Sequence, residues 1–389
     1  MAKLVEWDTG HTIALVSDVL SIGDIDSHYE QHSLKVTIKN RATQWHNNRS
    51  KLLQRQQIPS LLKRSKNRTL ISIITIPIFH FALCYWSMHL NFWQIIALAY
   101  LPGSVVFMYL FSNAHEIFHG VLGRKLGHRR FRNSFLRFAT MTDISSALYL
   151  YYKYGHYPHH FDQGAHNVKG LNQLYITPSM DMDPTTNFKN IYKFKLASET
   201  EAKYRFPSIE YSRLTRFFCI FLMPLLDSVN ELLVEPVKLL KWFQFKNARY
   251  SRHAIEDALI QGLLIITILV SMGLWFGSWN HLIYIFFCRV FFLGFLHPYG
   301  ILWATIHSSV DEDEKYQPST SIHGGFATFL CAGINLHTEH HDALWLSRSS
   351  LPKLCEIAPS FYKDLKIFSG FIDAARFLFQ KHYHNVYSP

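Results

Sequence analysis

Four long apolar segments, grouped as two closely spaced pairs, constrain the fold of this chain more than any other sequence feature. Residues 70–89 and 92–114 contain no Lys, Arg, Asp or Glu, and only two residues separate them. Residues 258–277 are equally free of charge, and three residues separate them from the segment 281–306. Each segment has about the 20 residues that a helix needs to cross the hydrocarbon core of a bilayer. The sequence therefore predicts four transmembrane helices in two hairpins.

The composition agrees with an all-α integral membrane protein. Hydrophobic residues make up 49% of the chain and charged residues 17%, below the usual quarter. Two further apolar stretches, 133–155 and 217–240, are interrupted by charged residues or prolines and are predicted to be helices that lie in the membrane interface. Arg289, inside the fourth segment, is expected to face protein or to snorkel, because a charge at the bilayer centre costs about 2.5–3.5 kcal/mol.

Basic residues on one side of the first hairpin predict the orientation. Residues 41–68 contain eight Lys or Arg and no acidic residue, and residues 124–137 add six more. By the positive-inside rule, both termini and the long loops are expected in the cytosol, beneath the endoplasmic reticulum membrane of a eukaryote or the inner membrane of a bacterium. The net charge of +11 suits anionic lipid headgroups. Nucleic-acid binding is not expected, because no groove-reading or base-stacking motif accompanies the charge.

Three parts are predicted along the chain. Residues 1–50 form an N-terminal cytosolic segment of unknown role, residues 51–370 form the membrane domain, and residues 371–389 form a C-terminal tail. The five cysteines make no C-x-x-C pair, so they are expected to be reduced thiols rather than a disulfide framework or a zinc ribbon.

Histidines concentrate in three clusters next to the apolar segments. The clusters are His115 with His119, His156 with His159 and His160, and His337 with His340 and His341. Residues four apart lie on one face of a helix, so each cluster can present imidazoles from successive turns. Because two hairpins return the chain twice to the same side, the clusters can meet at the cytosolic ends of the spans. Neutral imidazole binds Fe, Zn, Cu and Ni, and a histidine-rich metal site is therefore predicted there.

The number of histidines separates two interpretations of the metal. The first cluster also fits the H-E-x-x-H motif of zinc proteases, in which Glu116 would act as the base. A zinc site uses only three or four protein ligands, whereas the clusters hold eight histidines and His307 is a plausible ninth. Such a set suits two metals, and a pair of irons that activates O₂ is the favoured assignment. An intramembrane zinc metalloprotease and a non-enzymatic metal-handling protein remain alternatives.

The three boxes, in this order, resemble those of the membrane fatty-acid desaturase/hydroxylase superfamily. Further stretches are most similar to its sphingolipid (dihydroceramide) delta-4 desaturase branch, and the likeness runs from about residue 50 to residue 370. The stretches that carry it are "HEIFH" (115–119), "DMDPTTNF" (181–188), "RFFCIFLMPLL" (216–226), "GFLHP" (294–298), "HTEHHD" (337–342) and "IAPSFYKDL" (357–365). His307 matches the lone histidine that follows the last span of that branch.

The resemblance implies a di-iron lipid desaturase. The implied ligands of the two irons are His115, His119, His156, His159, His160, His307, His337, His340 and His341. It also implies O₂ as oxidant, an acyl or sphingoid chain as substrate, and an electron donor such as cytochrome b5 or ferredoxin. No His-Pro-Gly-Gly haem signature occurs in the chain, so the donor would be a separate protein. Hydroxylation on the same scaffold is the alternative reaction, and Glu116 and Asp342 are candidates for orienting the imidazoles.

Overall fold

The structure is a computed structural model, and parts of the sequence lie outside the residues it describes. The described residues are 41–54, 59–122, 129–141, 143–150, 152–153, 156, 213–222, 224–225, 228–229, 249–306, 310–312 and 315–380. The "DMDPTTNF" stretch and most of the predicted interfacial helix 217–240 therefore lie outside the described residues.

The described part of the chain is mainly helical. Its helices, in chain order, are α1 (Arg41–Gln54), α2 (Pro59–Ser87), α3 (Phe92–Leu98), α4 (Ser104–Phe118), α5 (Arg129–Thr140), α6 (Ala147–Leu150), α7 (Arg213–Phe217), α8 (Arg249–Phe276), α9 (Asn280–Leu293), α10 (Pro298–Ile306), α11 (Gly325–Leu330), α12 (His337–Asp342), α13 (Leu351–Ile357), α14 (Pro359–Tyr362) and α15 (Phe371–Leu378). Two π-helical turns accompany them: Ala99–Gly103 joins α3 to α4, and Phe218–Leu222 follows α7.

Three stretches are long and apolar enough to cross a membrane: Asn67–Ser87, Phe92–Phe118 and Glu256–Phe276. They coincide with three of the four predicted spans, and the π-helical turn does not interrupt the second. A tight turn joins the first two. The side chain of Asn91 accepts a hydrogen bond from the backbone N–H of Gln94, and the Gln94 side chain accepts one from the N–H of Asn91. This reciprocal cap starts α3 immediately after α2.

The fourth predicted span, 281–306, is a bent pair of helices rather than one straight helix. The axes of α9 and α10 differ by 45°. Gly294 ends α9 with φ of +114°, and Leu296 has φ of +46°, a left-handed conformation that cannot continue a helix. Pro298 then begins α10, at a helix position where its missing N–H costs nothing. A Cβ on Gly294 would lie 2.4 Å from the Cα of Gly300, so only glycine fits this break.

Charged residues between the hairpins pair with residues on the membrane helices. The stretch 133–155, predicted as one helix, is divided into α5 and α6, with Asp143 between them. Asp143 and Arg289 of α9 form a fully buried ion pair at 2.9 Å, which confirms that Arg289 faces protein. Arg137 of α5 pairs with Asp257 of α8 at 2.5 Å. These two ion pairs thus hold α5 and the residues after it against the second hairpin.

Short strands accompany the helices on the C-terminal side of α10, a feature that the all-α prediction did not include. They are β1 (Val310–Glu312), β2 (Lys315–Gln317), β3 (Ser321–Ile322) and β4 (Ile367–Phe368). β1 pairs with β2 in antiparallel register, and β3 pairs with β4 in parallel register. The β3–β4 pair brings the chain before α11 next to the chain before α15.

The first and last helices of the described chain both pack against distant parts of the chain. Leu53 of α1 is fully buried in an apolar cluster with Leu336, Leu346 and Leu354. The helix crosses residue 50, where the sequence placed the boundary of the membrane domain. Residues 371–378, assigned to the tail, form α15, and Leu378 is fully buried against α10. Buried side chains thus connect α1 and α15 to other elements of the described chain.

Candidate metal centre

The first histidine box ends the second membrane helix. His115 lies in the last turn of α4, and His119 is the residue that caps it. The backbone N–H of His119 donates to the carbonyl of His115 at 3.0 Å. The hydrogen-bonding pattern of the α-helix therefore continues as far as His119. Their ring centroids are 4.6 Å apart, and both side chains are buried. The i, i+4 spacing thus places two imidazoles on one face, as the sequence predicted.

The second box contributes one described histidine to the same place. The Nε2 atoms of His156 and His119 are 3.1 Å apart, and the rings of His156 and His115 are 4.7 Å apart. His159 and His160 lie outside the described residues, as does His307.

The third box occupies α12, and its histidines divide between two groups. His340 approaches the first box, with its ring 4.3 Å from that of His115 and 4.8 Å from that of His119. His337 and His341 face each other, with their Nε2 atoms 3.0 Å apart. The whole of α12 is buried. The structure therefore brings together six of the nine predicted ligands, and the other three lie outside the described residues.

Four of these imidazoles form one compact donor set. One ring nitrogen from each of His115, His119, His156 and His340 lies within 4.8 Å of the other three. Burial lowers the pKa of His119 to about 3, so this imidazole is neutral at physiological pH and keeps a lone pair for a metal. Buried imidazole nitrogens at this separation fit a divalent transition metal such as Fe or Zn.

A cavity lies between the first and third boxes. Its lining includes Glu116 and four imidazoles, those of His115, His119, His337 and His340. The other lining side chains are mostly apolar: Val121, Ile334, Leu344, Leu346 and Leu351. Histidines of both groups thus line one small cavity whose other lining side chains are mostly apolar.

Glu116 does not orient an imidazole in the described structure. Its Oε2 accepts a hydrogen bond from the Thr69 hydroxyl at 2.9 Å, and its Oε1 accepts one from the backbone N–H of Arg348 at 2.8 Å. The guanidinium of Arg348 lies 3.8 Å away and also donates to Ser72 and Asn113. Glu116 therefore ties the first membrane helix and the end of α4 to the loop that follows α12.

Asp342 likewise bonds away from the nine histidines. Its Oδ1 lies 2.9 Å from Nδ1 of His46, and its Oδ2 accepts from Nε of Arg49 at 2.9 Å. The other ring nitrogen of His46 lies 3.1 Å from the hydroxyl of Ser319, and the ring is 5.0 Å from that of His341. Asp342 thus anchors α1 against the third box.

His46 and Arg49 are the residues near the site that the sequence did not single out. Their stretch was assigned to the basic flank of the first span. The guanidinium of Arg49 lies 4.4 Å from the ring centroid of Trp45 and 4.1 Å from that of Phe361. Aromatic residues beside a basic residue are a weak signal for such packing. Asp342 and Phe361, the distant partners of this stretch, are 296 residues from His46 and 312 residues from Arg49. No local sequence pattern therefore reveals these contacts.

Aromatic side chains fill the helix bundle next to His115. Phe111 is stacked 6.5 Å from His115 and packs against Phe292 and Trp303 at 5.2 and 5.5 Å between centroids. Phe107 packs against Phe292 at 5.0 Å. A buried aromatic cluster of the helix bundle therefore lies next to the candidate metal centre.

Comparison with known proteins agrees with this arrangement. The sequence model of a family described as fatty acid desaturase matches residues 90–369, which include all three histidine boxes. None of the curated proteins matches the chain. The family match covers well over half of the 389 residues, and the chain therefore belongs to the fatty acid desaturase family.

Proposed function

We propose that this protein is an O₂-dependent lipid desaturase that introduces a double bond into an acyl or sphingoid chain at a histidine-ligated pair of irons. One observation carries the proposal: His115, His119, His156 and His340 converge within 4.8 Å at the end of a membrane-spanning helix. Family membership gives the general class, an oxidoreductase acting on lipids. The metal, the reaction and the substrate are the parts that we propose.

The metal assignment rests on the donor set. The proposed ligands are His115, His119, His156, His159, His160, His307, His337, His340 and His341. Their described members fall into a four-histidine group and the His337–His341 pair, and such a division suits two metals. Two irons bound there would supply the activation of O₂ that removing hydrogen from an unactivated methylene requires.

The protein's own residues hold and enclose the site. Buried imidazoles provide the donors, and burial lowers the pKa of one of them, His119. Glu116 and Asp342 fix the elements that carry them. In the overall reaction the lipid chain loses two vicinal hydrogens, and O₂ with two electrons and two protons becomes two molecules of water. The electrons would come from a separate donor such as cytochrome b5 or ferredoxin, which the basic cytosolic flanks could attract.

The lipid class is proposed from the sequence. The "GFLHP" and "HTEHHD" stretches and the "IAPSFYKDL" stretch are similar to those of the sphingolipid delta-4 desaturase branch, so a sphingoid chain is the first substrate to test. Both termini are proposed to be cytosolic, at the endoplasmic reticulum of a eukaryote or the inner membrane of a bacterium.

Hydroxylation is the second candidate reaction, because the family and its metal site are compatible with both outcomes. In that case one oxygen atom of O₂ would enter the lipid as an alcohol and the other would leave as water. The contacts of Glu116 disfavour the metalloprotease alternative. Both carboxylate oxygens already accept hydrogen bonds, from Thr69 and Arg348, whereas a zinc-protease glutamate must be free to take a proton from water.

Lipid mass spectrometry tests the proposal. Cells that express the wild type, supplied with candidate precursors and an electron donor, are compared with cells expressing His340→Ala plus His341→Ala. His89→Ala, an exposed histidine outside the boxes, is the matched control. The expected result is a lipid two mass units lighter in wild type and control alone. A gain of sixteen mass units would favour hydroxylation, and unchanged lipids with folded, iron-loaded protein would contradict both.

A further inference from the structure

A second group of metal-binding side chains lies on the other face of α12. Residue 339 is about 200° around the helix axis from residues 337 and 341, so Glu339 points away from the histidine pair. Its Oε1 lies 2.7 Å from Nε2 of His323 and accepts from the thiol of Cys355 at 3.1 Å. One ligand atom from each of these three residues lies within 4.8 Å of the others.

Each member of this group is held by its own element. The backbone N–H of His323, which directly follows β3, donates to the carbonyl of Phe368 in β4 at 2.7 Å. Cys355 lies in α13. The hydroxyl of Ser321 donates to Oε2 of Glu339 at 2.5 Å, which leaves Oε1 directed toward the imidazole and the thiol. The three ligand atoms are thus positioned before any ion arrives.

Burial and charge distinguish this group from a surface cluster. Glu339 is fully buried, whereas the side chain of His323 is 32% exposed, so an ion has a route from solvent. The side chains of Ser321, His323 and Cys355 all lie within hydrogen-bonding distance of the Glu339 carboxylate. A carboxylate oxygen beside an imidazole and a thiol is a ligand combination that a divalent cation such as Zn²⁺ binds.

We propose that His323, Glu339 and Cys355 form a mononuclear binding site for a divalent transition metal ion, with Zn²⁺ as the best fit. Thiolate, imidazole and carboxylate are the three side-chain ligand types that Zn²⁺ takes. The site is separate from the proposed iron pair and goes beyond the desaturase function, because it uses no residue of the nine-histidine set.

The distances fit a site that opens slightly when metal binds. Bond lengths of about 2.0–2.3 Å in a tetrahedron separate neighbouring ligand atoms by roughly 3.3–3.8 Å. The present separations of 2.7 and 3.1 Å need to grow by less than 1 Å. On binding, the thiol of Cys355 loses its proton to solvent, and His323 binds through Nε2 with its proton on Nδ1. Water from the exposed side of His323 takes the fourth position.

Such an ion would join three elements that the chain connects only through loops. It would link the end of β3, α12 and α13, and α12 carries three of the proposed iron ligands. We therefore expect Zn²⁺ to stiffen the support of the third histidine box and to raise the melting temperature of the protein.

Cobalt spectroscopy of the full-length protein in detergent tests the site. Co²⁺ bound by a thiolate gives a sulfur-to-metal charge-transfer band in the near ultraviolet, which an all-histidine site does not give. We expect the iron-loaded wild type to develop this band with about one Co²⁺ per chain. The band should be lost in Cys355→Ala and strongly weakened in His323→Gln, whose side chain still donates to Glu339. Cys331→Ala, a buried thiol outside the group, should keep it.

Alkylation of the wild type provides a test that needs no substitution. Zn²⁺ bound by Cys355 should slow its reaction with a maleimide by about tenfold or more, measured by peptide mass spectrometry, because a metal-bound thiolate is shielded from the reagent. The proposal is overturned if the wild type shows no thiolate band at saturating Co²⁺, if the band survives in Cys355→Ala, or if Zn²⁺ leaves the alkylation rate unchanged.

Discussion

Asp342 and His341 are neighbours in the sequence, but they act on different partners. The carboxylate of Asp342 is fully buried and bonds to His46 and Arg49, whereas His341 pairs with His337. Glu116 shows the same division beside His115. The hydrogen bonds of both acidic residues connect separate elements of the described chain. The spacing of the histidines is visible in the sequence. The partners of the two carboxylates could not be predicted, because those partners lie in distant elements.

Asp342→Asn should destabilise the protein by about 3 kcal/mol, because it leaves the largely buried guanidinium of Arg49 without its counter-charge. Asp364→Asn is the matched control on an exposed residue and should change stability by less than about 0.5 kcal/mol. Chemical denaturation in detergent micelles measures both. Equal effects of the two substitutions would show that the Asp342 contacts do not stabilise the fold.

Glu116→Gln should keep most of the activity. The glutamine amide can still accept a hydrogen bond from Thr69 or Arg348, so we expect a loss of about 1–2 kcal/mol in stability and an activity within about tenfold of wild type. Removing a general base would lower the rate by about 10²–10⁴-fold. Activity assays at matched iron content distinguish the two, and a loss of the larger size without a stability change would contradict a positioning role for Glu116.

At the scale of elements, the apolar segments of the sequence predict where the membrane helices lie, but they do not predict the breaks within those helices. Three spans lie where hydropathy placed them. The fourth was predicted as a single span, yet the Gly294 conformation and Pro298 divide it. The basic residues of α1 were recognised only as part of the flank 41–68, and neither the helix nor its packing was predicted, because its partner Asp342 lies far along the chain.

Gly294→Ala should destabilise the protein by several kcal/mol, because it combines a left-handed backbone with a Cβ 2.4 Å from Gly300. Gly262→Ala in α8 is the matched control. No atom lies within 4 Å of its added Cβ, and alanine favours a helix by about 1 kcal/mol over glycine. Melting temperatures of the two variants should therefore move in opposite directions. A neutral Gly294→Ala would contradict the tight break between α9 and α10.

At the scale of the whole molecule, buried charge joins parts that the membrane alone would not hold together. Asp143 and Arg289 are 146 positions apart and form a pair that is almost fully buried. The cost of a charge in the bilayer predicts that Arg289 either faces protein or snorkels. Only the three-dimensional structure identifies the partner, because neither periodicity nor spacing relates two residues so far apart.

A double-mutant cycle tests this connection. Asp143→Asn and Arg289→Met should each cost about 3–5 kcal/mol, since each removes one charge of a buried ion pair and keeps the other. The double variant should cost clearly less than their sum, because it removes both charges. Unfolding in detergent gives all three values. Additive costs would mean that the two side chains do not interact across the bundle.

Metal binding by the three histidine boxes is the property on which the proposed desaturase function depends most directly. The most direct measurement is the iron content of the purified full-length protein after loading with ferrous iron under anaerobic conditions. We expect about two irons per chain in the wild type and in His89→Ala, and a loss of iron in His340→Ala plus His341→Ala. Wild-type iron no higher than that of the double variant would contradict the di-iron centre.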